Sequence, residues 1–197
     1  MKRLNMLAPF AVAITLAAAA PAAAQTVASA PEAAAPALYA PITVGEVEDA
    51  QRGWCSALVA ISMEADTKGF TAAKALAGQV LDAAYGYAMG PVLFKPTLTV
   101  APQTFRTTRE GALSYFVGGD KTYLNDGGFA LKHWRKCQSE NAGIVITGNS
   151  AISMGNVSIW DDRGNLTKVD KTWGYVRGHD GKLRIVLHHS SLPYSPK

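Results

Sequence analysis

The sequence predicts an α+β domain in which N-terminal helices pack on a curved, mostly antiparallel sheet. Apolar residues recur at helical spacing early in the folded region and at alternate positions after Gly119. Tight polar and glycine-rich turns separate the later segments, which is typical of hairpins. Helices followed by a run of strands indicate an α+β protein, and 197 residues suffice for one domain with a tail.

The first 24 residues have the features of a cleavable signal peptide. Lys2 and Arg3 precede an apolar stretch at 7–20, and Ala22-Ala23-Ala24 supplies a small-residue cleavage site before Gln25. The stretch is short for a membrane span, which needs roughly 20 apolar residues; an uncleaved anchor is the alternative. Cleavage removes two basic residues and no acid, so the formal charge falls from +4 by two to +2. We therefore expect a periplasmic protein with no membrane attachment after processing and no nucleic-acid partner.

The next segment, 25–42, is rich in Ala and Pro and almost uncharged, and we expect a disordered leader there. The single folded domain is expected at 43–197, because Thr43 and Glu46 have the spacing of a helix capping box. The helix that follows has an apolar face made of Val47, Trp54, Leu58, Ile61 and Ala65. Gly69 interrupts it, and a second helix is predicted from Phe70 to near Gly90.

A short buried strand is predicted at 92–94, and Pro96 ends it. Thr107 and Glu110 form a second capping pair, which predicts a short helix ending at Gly118-Gly119. The period then changes from 3.6 to 2. Strands are predicted at 129–136, 144–147, 151–160, 167–177 and 183–191, with hairpin turns at 161–165 and 178–181.

The last predicted strand holds the residues most suited to chemistry. Side chains alternate across a sheet, so His188 and Ser190 share one face with Val186, and His189 and Ser191 point to the other. Two polar, proton-handling groups on one face can bind a single small ligand. The alternative is that one His-Ser pair satisfies buried backbone groups and the other is solvated.

Two further polar residues differ from their neighbours. Thr97 follows the proline that ends the first strand, so its hydroxyl can face the mouth of a pocket between helices and sheet. Tyr115 lies on the short third helix, where a purely apolar face has Leu or Phe. A turn threonine and a core tyrosine with its hydroxyl at the rim are the structural alternatives.

The histidine pattern argues against a bound metal. Adjacent strand residues cannot converge on one ion, and the other histidines are His133 and His179. A zinc site takes three or four protein ligands, and no HxH or HExxH spacing occurs. The sequence also has no G-x-S-x-G elbow, Walker motif or dinucleotide-binding glycine loop. We expect no metal cofactor, with Zn or Mn as the alternative.

The two cysteines, Cys55 and Cys137, form either a disulfide or two separate buried thiols. Export to an oxidising compartment permits a bridge. A disulfide that closes the long loop between these cysteines stabilises the folded state by roughly 4 kcal/mol in the chain-entropy model.

Eight segments of the chain together resemble the iota class of carbonic anhydrases. They include Tyr115-Phe116-Val117-Gly118-Gly119 and His188-His189-Ser190-Ser191-Leu192-Pro193-Tyr194. The matching segments occur in order over most of the mature domain, at 83–87, 92–99, 103–106, 115–119, 128–132, 154–157, 169–175 and 188–194. The resemblance implies a domain similar to the calcium/calmodulin-dependent kinase II association domain, with the cone-shaped SnoaL-like, or nuclear-transport-factor-2-like, fold.

What the resemblance implies about function is reversible hydration of CO2 to bicarbonate in the cone pocket. The family's pocket is lined by a Thr, a Tyr, a His and a Ser, which correspond to Thr97, Tyr115, His188 and Ser190. The three hydroxyls are assigned to holding the water and the bicarbonate oxygens. His188 is assigned to orienting those hydroxyls or to relaying the proton. Some members have a third histidine where this chain has Leu187, which weakens a metal-dependent mechanism here.

Two other functions remain open from the sequence. The domain can be a non-catalytic periplasmic ligand-binding or assembly module, since related folds form homodimers or larger rings through the outer sheet face. It can also be a SnoaL-like isomerase or hydratase, although no pocket carboxylate is evident for that chemistry. A homodimer or higher homo-oligomer is expected in each case.

Overall fold

The structure, a computed structural model, describes residues 40–196, which form helices and one sheet in the predicted order. The predicted signal peptide and leader residues 25–39 lie outside the described residues. The elements are α1 (Val44–Lys68), α2 (Phe70–Ala84), β1 (Leu93–Lys95), α3 (Arg109–Val117), a 3-10 turn (Phe129–Leu131), β2 (Trp134–Thr147), β3 (Ser150–Asp161), β4 (Leu166–Arg177) and β5 (Leu183–Ser191). The α+β prediction is confirmed. Over the described range, no helix has the length and apolarity needed to cross a membrane.

The capping box predicted for α1 is present. The Glu46 amide donates to Thr43 Oγ1 over 3.2 Å, and the Thr43 amide donates to the Glu46 carboxylate over 2.9 Å. Gly69 then ends α1 with φ of 84°, a backbone conformation that favours glycine. Helix α2 is shorter than predicted, because Tyr85 is extended and bridges to Ile185 of β5 instead of continuing the helix to Gly90.

Two further predicted boundaries were wrong. Helix α3 is capped by Thr108 rather than Thr107: the Thr108 hydroxyl accepts from the Gly111 amide over 3.2 Å. The alternation from Phe129 onward does not begin a strand, because left-handed backbone at Gly128 (φ 76°) and His133 (φ 56°) interrupts an extended chain. The segment forms a 3-10 turn, and β2 begins at Trp134.

The sheet has the order β1-β5-β4-β3-β2, with β1 parallel to β5 and the other pairs antiparallel. Helix α1 packs on β2 and on α2, and α2 packs on α3, so the core lies between the helices and the sheet. Ile42 is part of this core, and its amide donates to the Gly148 carbonyl over 2.9 Å. The contacts of the domain therefore extend to residues that precede the expected boundary at Thr43.

A β-bulge in β5 changes one predicted orientation. Leu187 pairs with Gly174 and Ile185 pairs with Tyr175, so Val186 has no partner in the register. The extra residue places Ile185, rather than Val186, in the core. Beyond the bulge the predicted alternation holds: His188 and Ser190 are buried, and His189 is exposed.

Cys55 and Cys137 are joined by a disulfide, which resolves the alternative left open by the sequence. The bond links helix α1 to β2, which is an edge strand of the sheet.

Candidate functional site

The hydroxyl groups of Thr97, Tyr115 and Ser190 meet at the end of the sheet where β1 and β5 finish; we call them the hydroxyl cluster. Thr97 Oγ1 lies 2.5 Å from Ser190 Oγ. Tyr115 is buried, and the Thr97 hydroxyl and the Leu98 backbone are hydrogen-bonding groups near its phenol. The structure thus brings together three of the four residues predicted for the site, from a turn, a helix and a strand.

The parallel pairing of β1 with β5 explains why Thr97 and Ser190 meet. Phe94 lies beside His188 and Lys95 beside His189 in the register. Pro96 cannot continue the ladder, because it has no amide hydrogen, and the chain turns there. Thr97 consequently comes alongside the last buried residue of β5, Ser190.

Burial keeps the phenol of Tyr115 in its protonated form. Burial raises its pKa well above the usual value, and the nearby Leu98 backbone and Thr97 hydroxyl oppose this only in part. The ring packs edge-on against Phe94 at 5.6 Å and stacks on Phe129 at 5.5 Å. At neutral pH the Tyr115 hydroxyl is therefore a hydrogen-bond donor held in a fixed aromatic setting.

His188 belongs to a second group, formed with Lys171, Tyr85 and Trp54, which we call the imidazole cluster. Its Nδ1 lies 2.8 Å from the Tyr85 hydroxyl, and its Nε2 lies 2.5 Å from Lys171 Nζ. The indole of Trp54 donates to the same Tyr85 hydroxyl over 2.9 Å. Both ring nitrogens of His188 thus contact groups other than the hydroxyl cluster, while its ring stacks on Phe94 at 4.4 Å.

The charge of the imidazole cluster resides on Lys171 rather than on His188. Burial, followed by repulsion from Lys171 and His189, holds the pKa of His188 well below its usual value. Burial also lowers the pKa of Lys171, to about 7. At neutral pH the imidazole is uncharged, and the lysine exchanges between ammonium and amine.

The two protonation states of Lys171 permit different hydrogen-bond directions. An ammonium can only donate to Nε2 of His188, which leaves Nδ1–H to donate to the Tyr85 hydroxyl. A neutral amine can donate to Nε2 in the same way, or it can accept from Nε2–H while the Tyr85 hydroxyl donates to Nδ1. The same contacts hold in both states, so the cluster can change its charge without rearranging.

The sequence did not identify Lys171, Tyr85 or Trp54 as site residues, although one signal was available for Lys171. The alternate positions Val169, Lys171 and Trp173 of β4 lie on one face, and all three are buried. A lysine within an apolar period-two stripe is rarely buried without a functional or pairing reason. Tyr85 and Trp54 have no such signal, because an aromatic residue at a buried position is ordinary.

A cavity of about 180 Å³ adjoins Tyr115 and is lined also by Leu98, Asp126 and Lys132, whereas Thr97 and Ser190 do not line it. A buried ion pair supports its wall: Arg106 donates to Asp126 through bonds of 2.6 and 3.1 Å. Within residues 40–196 there is no group of three or more His, Cys, Asp or Glu side chains placed to hold a metal ion.

The helices on one face of the sheet, with polar side chains buried between helices and sheet, define an α+β domain with a small polar site. The sequence model of a family described as metal-independent carbonic anhydrase matches residues 45–192. The chain belongs to this family, as the resemblance predicted.

Similar proteins agree with this assignment. A metal-independent carbonic anhydrase from Nostoc sp. (strain PCC 7120 / SAG 25.82 / UTEX 2576) is 61% identical over 153 residues, covering 78% of this chain and 75% of the relative. A crystal structure of the iota-carbonic anhydrase from a cyanobacterium, complexed with bicarbonate, is 60% identical with a TM-score of 0.78, and covers 79% of this chain and 95% of that one. A calcium/calmodulin-dependent protein kinase II association domain from Xanthomonas campestris, 22% identical with a TM-score of 0.50, covers 75% of this chain and 86% of that one and supports the fold alone.

Proposed function

We propose that this chain catalyses the reversible hydration of CO2 to bicarbonate and a proton at the hydroxyl cluster, without a metal ion. The observation that supports this most directly is the convergence of buried Tyr115 and Ser190 with half-buried Thr97 in a chain of this family. The bicarbonate complex of the similar cyanobacterial enzyme indicates the ligand class.

In the proposed reaction the oxygen of a water molecule forms a bond to the carbon of CO2. One C=O electron pair moves onto its oxygen, which becomes the anionic oxygen of bicarbonate, and the water releases one proton to solvent. Hydroxyl donors at the cluster hold the water and stabilise the oxygen on which negative charge develops. Tyr115 suits this role because its phenol remains protonated.

Two catalytic effects are available to such a site. Positioned proton donors and acceptors contribute about 10²–10⁴-fold. Holding water against CO2 in an attacking geometry contributes separately, because it removes the entropy cost of bringing two molecules together. His188 is assigned a positioning role, since the imidazole cluster occupies both of its nitrogens.

The test is a stopped-flow CO2 hydration assay on purified protein before and after exhaustive chelation. We expect activity above the uncatalysed rate in both samples, and a large loss in Ser190→Ala. The matched control is Ser191→Ala, the next residue on β5, which has the opposite orientation and should retain activity. If chelation abolishes activity and one metal ion per chain restores it, the metal-free mechanism is wrong.

The homodimer is proposed through the outer face of the sheet. Val145 and Ile152 are register partners on β2 and β3, and Met154 follows on the same face. All three are more than half exposed, at 66%, 54% and 60%. Contiguous apolar exposure of this kind marks association surfaces. Light scattering should give a dimer mass, and Met154→Lys should lower it to that of a monomer.

We also propose export to the periplasm with cleavage before Gln25. The disulfide between Cys55 and Cys137 supports an oxidising compartment. Intact mass of the protein recovered from a periplasmic extract should correspond to a chain starting at Gln25. A mass that includes residues 1–24 contradicts the cleavage.

A further inference from the structure

Lys171 differs from the other buried basic residues in having no acidic partner. Lysine and arginine side chains are buried at three positions in residues 40–196: Arg106, Lys171 and Arg177. Arg106 pairs with Asp126, and Arg177 pairs with Glu46 over 2.8 Å. Within the same residues Lys171 forms no ion pair. A buried charge is costly unless it is paired, so this position requires an explanation.

The backbone register places Lys171 beside the hydroxyl cluster. Its Cα is the cross-strand partner of that of Ser190, and side chains at opposed positions lie on one face with their Cβ atoms about 5 Å apart. The Nζ lies 2.5 Å from Nε2 of His188 and 4.4 Å from the ring centre of Trp54. Aromatic faces attract a cation, yet they do not neutralise it.

We propose that Lys171 is a further binding residue of this site, and that its ammonium is the cation that pairs with the bicarbonate anion held at the hydroxyl cluster. The inference rests on the proposed function, because it takes the anion to be the reaction product. In this arrangement the ligand itself supplies the missing counter-charge.

None of the titratable groups around Lys171 supplies a negative charge, so the ligand is the group that can pair with its ammonium. The titratable side chains around Lys171 are His188 on β5, Tyr85 at the end of α2, and Tyr115 of the hydroxyl cluster on α3. Burial holds the pKa of His188 below its usual value and raises those of both tyrosines, so none of them is an anion at neutral pH. His189 lies on the opposite face of β5 and carries no negative charge in either of its states.

The consequence is a proton linked to anion binding. Because burial lowers the pKa of Lys171 to about 7, the unliganded lysine is largely an amine above that pH. An anion that binds the ammonium form 10-fold more tightly than the amine form raises this pKa by one unit, and affinity must fall as pH rises through the same range. Anion binding above pH 7 therefore takes up a proton.

The experiment uses the full chain and two anions, bicarbonate and nitrate, a planar three-oxygen anion that stays ionised at every pH used. Affinities are measured by tryptophan fluorescence from pH 6 to 9 for nitrate and from pH 7.5 to 9 for bicarbonate. In the wild type we expect nitrate affinity to fall about 4-fold between pH 7 and pH 8.5, and about 8-fold between pH 6 and pH 9. In Lys171→Met we expect it to be at least 10-fold weaker at pH 6 and independent of pH. The matched control is Lys168→Met, an exposed lysine of the same strand, which should behave as the wild type.

A second measurement does not depend on the folding of a variant. In wild-type protein with isotope-labelled lysine, NMR should show one lysine that titrates near pH 7, and saturating nitrate should move its midpoint upward by about one unit. A midpoint unmoved by bound nitrate overturns the inference, as does a folded Lys171→Met protein with unchanged affinity and pH dependence. If neither anion binds an active wild-type enzyme, the inference alone fails; if hydration activity is also absent, the proposed function fails with it.

Discussion

Thr97→Val and Ser190→Ala remove the two ends of one hydrogen bond, and their effects on stability should be unequal. Thr97 Oγ1 and Ser190 Oγ are 2.5 Å apart, and Ser190 is 1% exposed whereas Thr97 is half-buried. Thr97→Val leaves the Ser190 hydroxyl buried and unpaired, which costs about 1–3 kcal/mol. Ser190→Ala leaves a threonine that water can reach, so we expect about 1 kcal/mol or less.

Turnover should respond differently from stability, because in the proposed mechanism both hydroxyls act on the same reacting oxygens. In comparable sites, the loss of one preorganised donor lowers turnover by about 10²-fold. The double variant should lose little more than the worse single variant, since residues that act as a unit are not additive. The double-mutant cycle is completed by measuring urea unfolding and stopped-flow hydration for the wild type, both single variants and the double variant. Turnover losses that multiply in the double variant, or a Thr97→Val protein as stable as the wild type, refute the reasoning.

Three further outcomes follow from single contacts. His188→Ala leaves Lys171 without its hydrogen-bond partner in the core and removes one of the two partners of the Tyr85 hydroxyl, so it should lower both stability and turnover. His189→Ala, at an exposed position, should change neither; equal losses in a hydration assay contradict the strand assignment. Arg177 lowers the pKa of Glu46 from 4.5 to about 2, so the stability from this pair is complete above pH 4.5 and is lost as pH falls toward 2; Glu46→Gln should flatten that part of an acid unfolding curve, and an unchanged curve counts against the pair. Reducing the Cys55–Cys137 bond, which spans 82 residues, should lower the free energy of unfolding by about 4 kcal/mol in denaturant titrations, and detection of two free thiols in unreduced, denatured protein contradicts the bridge.

Local sequence patterns predicted most of the elements, because the signals are short-range. The capping box at Thr43 and the alternation in the later strands depend on neighbours within four residues. The errors occur where the backbone leaves a regular conformation. His133 adopts a left-handed φ that no propensity rule anticipates, and the bulge at Val186 becomes defined only when β4 and β5 pair.

The candidate site was likewise predictable only where its signals are local in the sequence. Alternation placed His188 and Ser190 on one face, and local context singled out Thr97 after a proline and Tyr115 on a short helix. The resemblance then assigned all four to one pocket. Contacts between distant segments could not be read from the sequence: the position of Tyr85 against His188 joins residues 103 apart. Lys171 is the intermediate case, because its buried position follows from period-two spacing but its contact with His188 depends on strand register.

The two clusters have different tasks that follow from where their polar atoms lie. In the proposed mechanism the hydroxyl cluster supplies donors that orient water and stabilise developing negative charge, but a neutral hydroxyl provides no net charge. In the imidazole cluster both nitrogens of His188 are occupied by protein groups, so the imidazole cannot readily exchange a proton with the substrate. The same cluster holds the one buried ammonium of the described domain without an acidic partner. His188 and Ser190 are two residues apart on β5, so the contacts that fix the imidazole also fix the serine. Substitutions at Tyr85, remote from the hydroxyls, should therefore alter turnover through the position of Ser190 rather than through any contact with CO2.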